Sequence, residues 1–470
     1  MDPFMSATAI ARAIRARDLS PAEVVDTYLD RIDRFNGGLN AIIWRDDAGL
    51  KAAAEEAERA VLAGEPLGPF HGVPIPIKDL TSVAGQPNTM GSRAVSAEPR
   101  VENDLVVDRL AEAGFLFMGR SNTPEMGPMT VTENLRYGNT ANPWHPGYSP
   151  AGSSGGAAVA VAAGMAPVAH GNDGGGSLRM PASACGLVGL KPSRARVPQR
   201  LQSWWEYGTS EGVITRYLED TAGILDAISR PDPHGWFQAP PPARPYSAEL
   251  GREPGRLRVG LLLDAPTGLP VDPDCVAAAT GLANLLERMG HDVYPVEPIM
   301  LSQQAADSYV NIIMAAALYA PGYDDPELAE PYNGYRREHV KQYHAGQYVQ
   351  ASALLQSESR QIVAQWGRDF DLLLTPTMAC VPPALGSVLA EANGNVNGPR
   401  LTEIRMVSFT VVCNVTGLPA ISLPVHFSPE GLPVGAQLIG APFDEATLIR
   451  LAALIEPEIG WVTAVPPRYR

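Results

Sequence analysis

A chain of 470 residues with 45% apolar and 19% charged side chains has the make-up of a soluble globular protein with enough material for a large core. Its 51 acidic against 36 basic residues leave a formal charge of −15, which repels phosphate backbones and anionic lipid, so neither nucleic acid nor a membrane is an expected partner. The four cysteines, Cys185, Cys275, Cys380 and Cys413, stand far apart with no CxxC pair, which excludes a zinc spacing or a disulfide framework and reads as reduced thiols in a cytoplasm.

Met1-Asp2-Pro3-Phe4-Met5 has neither a basic n-region nor an apolar h-region, so no export signal is expected. The first 65 residues read as helical. Within them Ser20-Pro21-Ala22-Glu23 is a start signal, with Ser at the N-cap, Pro at N1 and Glu at N3 closing a capping box. The spacing predicts a helix through about Asp33, with Val24, Val25, Tyr28, Leu29 and Ile32 on one face. From Val73 onward, short apolar runs alternate with helical patterns: 115–118, 259–263, 371–374, 420–423 and 435–439. Strands buried on both faces have this character, and an α/β layered sheet is predicted. The small apolar run 157–169 is interrupted by Gly164 and Pro167 and is too short to span a bilayer. The Pro-rich segment 230–246, RPDPHGWFQAPPPARPY, reads as a surface excursion or linker.

The chemistry concentrates between Ser149 and Pro192, in SPAGSSGGAAVAVAAGMAPVAHGNDGGGSLRMPASACGLVGLKP. Two Gly/Ser clusters, Gly152-Ser153-Ser154-Gly155-Gly156 and Gly174-Gly175-Gly176-Ser177, are joined by an Ala/Val-rich helix and a short strand around Val168. Glycine at this density marks sharp turns or close approach of backbone to a ligand, although a purely structural turn satisfies the same pattern. A phosphate loop needs GxxxxGK[ST], and no lysine follows either cluster at that spacing. Gly152-x-Ser154-x-Gly156 matches the elbow of an α/β-hydrolase-type esterase with Ser154 as nucleophile, but Pro143, Pro146 and Pro150 precede it where a central strand is required.

Taken together, the clusters resemble the amidase signature. His71-Gly72-Val73-Pro74-Ile75-Pro76-Ile77-Lys78-Asp79 supplies the upstream lysine element, and Cys185-Gly186-Leu187-Val188-Gly189-Leu190-Lys191-Pro192 the tail. Ser153 and Ser177 stand 24 positions apart, as in that family. The likeness continues through 121–127, Asn142-Pro143-Trp144, Leu374-Thr375-Pro376-Thr377 and 414–422, and so covers most of the chain. Within the family, PVAHGND and ACGLVGLKP look most like bacterial hydrolases of nylon-oligomer cyclic dimers and related amidases and urethanases.

The resemblance implies one α/β/α domain over 1–470 around a central mixed β-sheet. Its helical N-terminal part is about 5–65, its signature core about 70–200, and the Pro-rich surface segment 230–246; the remainder completes the sheet and the substrate loops. It implies hydrolysis of amide C–N bonds through an acyl-enzyme, with Ser177 as nucleophile, Ser153 as a bridging serine after a cis peptide, and Lys78 as general base. A serine hydroxyl is a weak nucleophile until a base takes its proton. Lys78 must therefore be neutral, although a free lysine titrates near ~10.4. Val73, Ile75 and Ile77 around it predict a desolvated site, which disfavours the ammonium form. The competing reading is an exposed Lys78–Asp79 pair on a turn.

Gly174, Gly175 and Gly176 are expected to form the nest for the oxyanion, with Ser154 and Asp173 in support and Arg179 structural. Met126, Gly127 and Met129 are candidate pocket residues. The histidines, among them His71, His145, His170 and His426, form no HExxH set, and His170 reads as a satisfied core histidine. Three positions depart from the family pattern: Ala151 where Gly is usual, Asn172 where Thr is usual, and Gly174 where a larger apolar residue is usual.

The expected partner is a small-molecule amide or carbamate, with esters also admitted by the chemistry. No cofactor or metal is implied, and the protein is expected to be a monomer or homodimer. Two further readings stay open: the glutaminase subunit of a tRNA-dependent amidotransferase complex, and a catalytically inactive binding protein on the same scaffold. Substrate choice is expected to rest on the variable stretches 201–211 and 307–335.

Overall fold

Helices α1 (Ala7–Ala16) and α2 (Pro21–Leu39) open the chain, and the capping box at Ser20 is present. Ser20 Oγ accepts from the Glu23 amide at 3.1 Å, and Glu23 Oε2 accepts from the Ser20 amide at 2.9 Å. The predicted face of Val24, Val25, Tyr28, Leu29 and Ile32 is buried. The helix runs past Asp33 to Leu39, because only at Asn40 does the backbone turn left-handed, with φ 53°. The helical opening is then interrupted by a strand, β1 (Ile42–Trp44), before α3 (Asp47–Ala63). Ile42, Ile43 and Trp44 are β-branched and aromatic, and they find a partner strand far along the chain. The computed structural model describes residues 1–200, 204–319 and 323–470. Parts of both stretches expected to govern substrate choice, 201–203 and 320–322, thus lie outside the described residues.

β2 (Pro74–Lys78) follows and is buried along its whole length. α4 (Leu105–Glu112) crosses over to β3 (Leu116–Ser121), which pairs parallel with β2 and antiparallel with β1. Lys78 therefore ends a strand of a small separate sheet, ordered β1-β3-β2, that packs against the larger one.

Between the two Gly/Ser clusters come α5 (Gly155–Ala162) and β4 (Ala169–Asp173). Every residue of α5 is buried, which is what an all-apolar, small-residue helix requires. Gly156 permits this. A Cβ there would lie 2.7 Å from the backbone oxygen of Asn122, so only glycine lets helix and strand backbones meet. The helix leads away and β4 returns, so the start of α5 and the end of β4 come together, with Ser154 Oγ 3.2 Å from the Asn172 carbonyl oxygen.

α6 (Arg179–Cys185), β5 (Val188–Lys191) and β6 (Ser210–Thr215) follow; beyond the Pro-rich segment come β7 (Arg258–Leu261), β8 (Asp292–Pro295), β9 (Leu372–Pro376), β10 (Ala420–Phe427) and β11 (Pro433–Ile439). The large sheet has eight strands in the order β4-β6-β5-β10-β11-β9-β7-β8. Only β9, β7 and β8 are parallel to one another, so the sheet is mixed. β9 and β11 are buried throughout, as their continuous apolar runs require. Strands from both sides of 230–246 enter this sheet, and the segment itself lies on the surface, with Trp236 84% exposed. Among the described residues no helix is long and apolar enough to cross a membrane.

Candidate active site

Lys78 is wholly buried at the end of β2, among Val73, Ile75 and Ile77, which are themselves without exposed surface. Its Nζ lies 2.7 Å from Ser153 Oγ, 2.9 Å from Ser154 Oγ and 2.7 Å from Asn172 Oδ1. The bond between Gly152 and Ser153 is cis. Burial dominates the lysine's titration and lowers its pKa to about 7, with the negative charges of Glu211 and Asp173 pulling the other way. The surface-pair reading fails, because Asp79 is buried and turned elsewhere. Asp79 accepts from the amides of Thr89 and Gly91, each at 3.1 Å, and faces Arg120 Nε at 3.6 Å.

The second cluster is held by a buried ion pair. Arg179 Nε and a terminal nitrogen reach the two carboxylate oxygens of Asp173, each at 2.9 Å, in a bidentate fork. Burial, the largest single influence, would raise the Asp173 pKa, but the charge and hydrogen bonds of Arg179 together with Lys191 and Asn414 overcome it and hold the carboxylate well below its usual range. The same carboxylate accepts from the amides of Gly176 at 2.8 Å and Leu178 at 3.1 Å, and so ties down the loop. Replacing Asp173 with Asn leaves the Arg179 charge buried without a counter-ion. A loss of about 3–5 kcal/mol in unfolding free energy is expected, read from the shift of the urea midpoint.

The Gly176 amide is thereby spoken for, which corrects the expected nest. Among the described residues the amides of Gly174, Gly175 and Ser177 donate to no other protein group. The loop's carbonyls are tied back. Tyr309 donates its hydroxyl to the Gly174 oxygen at 2.8 Å, and Thr410 Oγ1 donates to that of Gly175 at 2.6 Å. Glycine at 174 has its own reason: a Cβ there would run into the indole ring of Trp205, which occupies the space of the usual larger side chain.

Ser153 and Ser177 both line one cavity of about 310 Å³, together with Leu80, Met126, Gly127 and Glu211. Ser177 is 7% exposed, open to that cavity through its position just after Gly176, whose φ is 133°. Ser154 is not on the wall and has no exposed surface; its hydroxyl donates to the Asn172 carbonyl and accepts from Lys78. An esterase elbow built on Ser154 is therefore ruled out, since that nucleophile could not reach a substrate. Of the three candidate pocket residues, Met126 and Gly127 line this cavity and Met129 does not. Positive φ values of 59° at Met126 and 86° at Gly127 turn the chain, and Met129 packs into an apolar cluster with Val131, Ala151 and Met180. A second cavity, about 520 Å³, adjoins the first across Gln199, Trp205 and Thr209.

His170 is buried with Nε2 2.9 Å from Glu211 Oε2, but its Nδ1 has no hydrogen-bond partner among the described residues, so the expected satisfied histidine is satisfied at one ring nitrogen only. Among the described residues no three His, Cys, Asp or Glu side chains are placed to share a metal ion, and all four cysteines are buried and unpaired. Glu211 and Tyr309 fall within the two stretches expected to govern substrate choice but were not singled out individually, and Thr410 was not legible at all. Tyr309 and Thr410 are 135 and 235 positions from the glycines they bind, and nothing local marks them. Asn172 did carry a signal, the departure from the family's Thr.

The Amidase family model matches residues 23–449. Over 487 aligned residues the chain is 35% identical to a 6-aminohexanoate-cyclic-dimer hydrolase of Pseudomonas sp. (strain NK87), covering 99% of this chain and 97% of that protein. It is 33% identical to an acylamidase of Rhodococcus erythropolis, over 98% of this chain and 97% of the other. Among solved structures, a 6-aminohexanoate cyclic dimer hydrolase complexed with substrate aligns over 100% of both chains with a TM-score of 0.92 and 32% identity.

Proposed function

The chain belongs to the amidase family and is a hydrolase of amide C–N bonds, and from that premise we propose that Ser177 is its nucleophile, Ser153 the proton relay and Lys78 the general base. The observation that carries this reading is the 2.7 Å contact between the Ser153 hydroxyl and a buried amine whose pKa is lowered to about 7. At neutral pH much of that amine is unprotonated and can accept a proton.

In the proposed reaction Ser177 Oγ attacks the substrate carbonyl carbon while its proton passes to Ser153 Oγ, whose own proton passes to Lys78 Nζ. The carbonyl oxygen becomes an oxyanion beside the amides of Gly174, Gly175 and Ser177, each such donor being worth about 10²–10³ in turnover. The proton then returns through Ser153 to the leaving nitrogen, the C–N bond breaks, and the acyl group remains on Ser177. Water repeats the sequence and releases the acid.

We propose linear and cyclic oligoamides and anilides as substrates, with carbamates and esters following the same tetrahedral chemistry. The names of two relatives, a 6-aminohexanoate-cyclic-dimer hydrolase and an acylamidase, support a cyclic oligoamide or another acyl amide among these, and a cavity of about 310 Å³ suits a small molecule. We read the chain as one amidase domain, since strands from both sides of the Pro-rich segment share one sheet. We read it as a cytoplasmic enzyme of bacterial type, monomer or homodimer; the buried free thiols bear only on the reducing compartment.

The test is turnover of the purified chain on primary amides, anilides, cyclic and linear oligoamides, and carbamates. C–N cleavage of oligoamides or anilides by the chain alone is the expected outcome. Activity appearing only when partner subunits are added would restore the amidotransferase reading.

A further inference from the structure

A neutral primary amine has two N–H bonds and one lone pair, yet Lys78 Nζ has three oxygen neighbours. Two of these can only accept. Asn172 Oδ1 is a carbonyl oxygen with no proton to give. Ser154 Oγ already commits its proton to the Asn172 backbone oxygen at 3.2 Å, so toward the lysine it offers only lone pairs. Ser153 is the remaining neighbour, and the remaining lone pair must face it.

We infer that Asn172 is a positioning residue of the proposed reaction: with Ser154 it takes the two N–H bonds of neutral Lys78 and turns the lone pair onto the Ser153 hydroxyl. This rests on the reading of Lys78 as the base. The ammonium form, with three N–H bonds, fits the same three oxygens, so the proton can arrive and leave without a side chain moving. Preorganisation of this kind avoids reorganisation during the chemical step. The backbone of Asn172 is itself held in register opposite Glu211 in the β4–β6 ladder. A threonine in this place would present a hydroxyl with its own proton, which can point at the amine; an amide oxygen cannot.

The charged groups around Lys78 are known from each packed element. Glu211 on β6 and Asp173 on β4 favour the ammonium, and His170 on β4 is bound to Glu211. Arg120 on β3 donates to the Lys78 backbone oxygen, and Asp79 is engaged by Thr89 and Gly91. Asn172 is therefore the one side-chain amide on Nζ among the described residues.

The experiment measures kcat and KM against pH for the full chain carrying Asn172→Ala or Asn172→Asp, using an uncharged anilide. For Asn172→Ala, kcat is expected to fall about 10- to 100-fold with KM little changed, less than the about 10²–10⁴-fold that the base itself contributes, because Asn172 only positions it. Its acid limb moves to lower pH, because the ammonium loses an acceptor. For the near-isosteric Asn172→Asp, the added charge favours the ammonium and moves the limb up by about 1–3 pH units, with activity partly regained in alkali. Because Asp keeps the shape of Asn, this second shift remains readable if the alanine variant is unstable. An acid limb unmoved in both variants overturns the role of Asn172 while leaving Lys78 as base. Full turnover in Lys78→Met, or a wild-type profile without an acid limb, overturns both.

Discussion

Ser177→Ala is expected to lower kcat/KM by about 10⁴–10⁶-fold and to abolish covalent labelling by a fluorophosphonate. The size follows from the role proposed for this oxygen, which forms the bond to the acyl carbon. Without it the glycine amides and the cavity can still bind a substrate, but no acyl-enzyme forms. The variant should keep its fold, since Ser177 borders the cavity and alanine adds no atoms. Mass spectrometry of the wild-type chain after labelling should place one adduct on Ser177. An adduct on Ser153, or substantial turnover by the alanine variant, would remove Ser177 from the mechanism.

The second large effect is on pH dependence. Burial lowers Lys78 from 10.5 to about 7, so the neutral, proton-accepting form dominates above that value and the ammonium below it. With an uncharged substrate, kcat/KM should therefore climb through neutral pH and fall about tenfold per unit on the acid side. The sign is opposite to that of a catalyst needing a protonated lysine. Lys78→Arg should cost at least about 10²–10⁴-fold at every accessible pH, because a guanidinium does not give up its proton. A flat profile between pH about 5 and about 9 would show that the rate does not depend on this amine.

The site is unevenly readable from the residues. Ser153, Ser177 and Lys78 stand out in the sequence because the glycines around the two serines, and the apolar residues flanking the lysine, are their neighbours along the chain. The helix and strand joining the clusters are local too, and a helix that leads away followed by a strand that returns brings Ser154 to Asn172. The capping box at Ser20 was legible for the same reason, as was the burial of β9 and β11. By contrast, β1 looked like part of a helical stretch, since what makes Ile42 to Trp44 a strand is β3, far away in the chain.

Sequence alone, through its resemblance to the amidase signature, determined the reaction class, because the motifs that carry that resemblance are runs of adjacent residues. Tertiary structure decided which amides are free and which side chains line the cavity. Asp173 claims the Gly176 amide, Tyr309 and Thr410 hold back the loop's carbonyls, Met129 turns into the core, and Trp205 fills the room beside Gly174. The same holds for the titration of Lys78, whose proton affinity is set by the water it has lost and by charges on β4 and β6. Hydrogen-bond vacancies and desolvation are sums over groups that meet only in space, and no run of neighbouring residues encodes them.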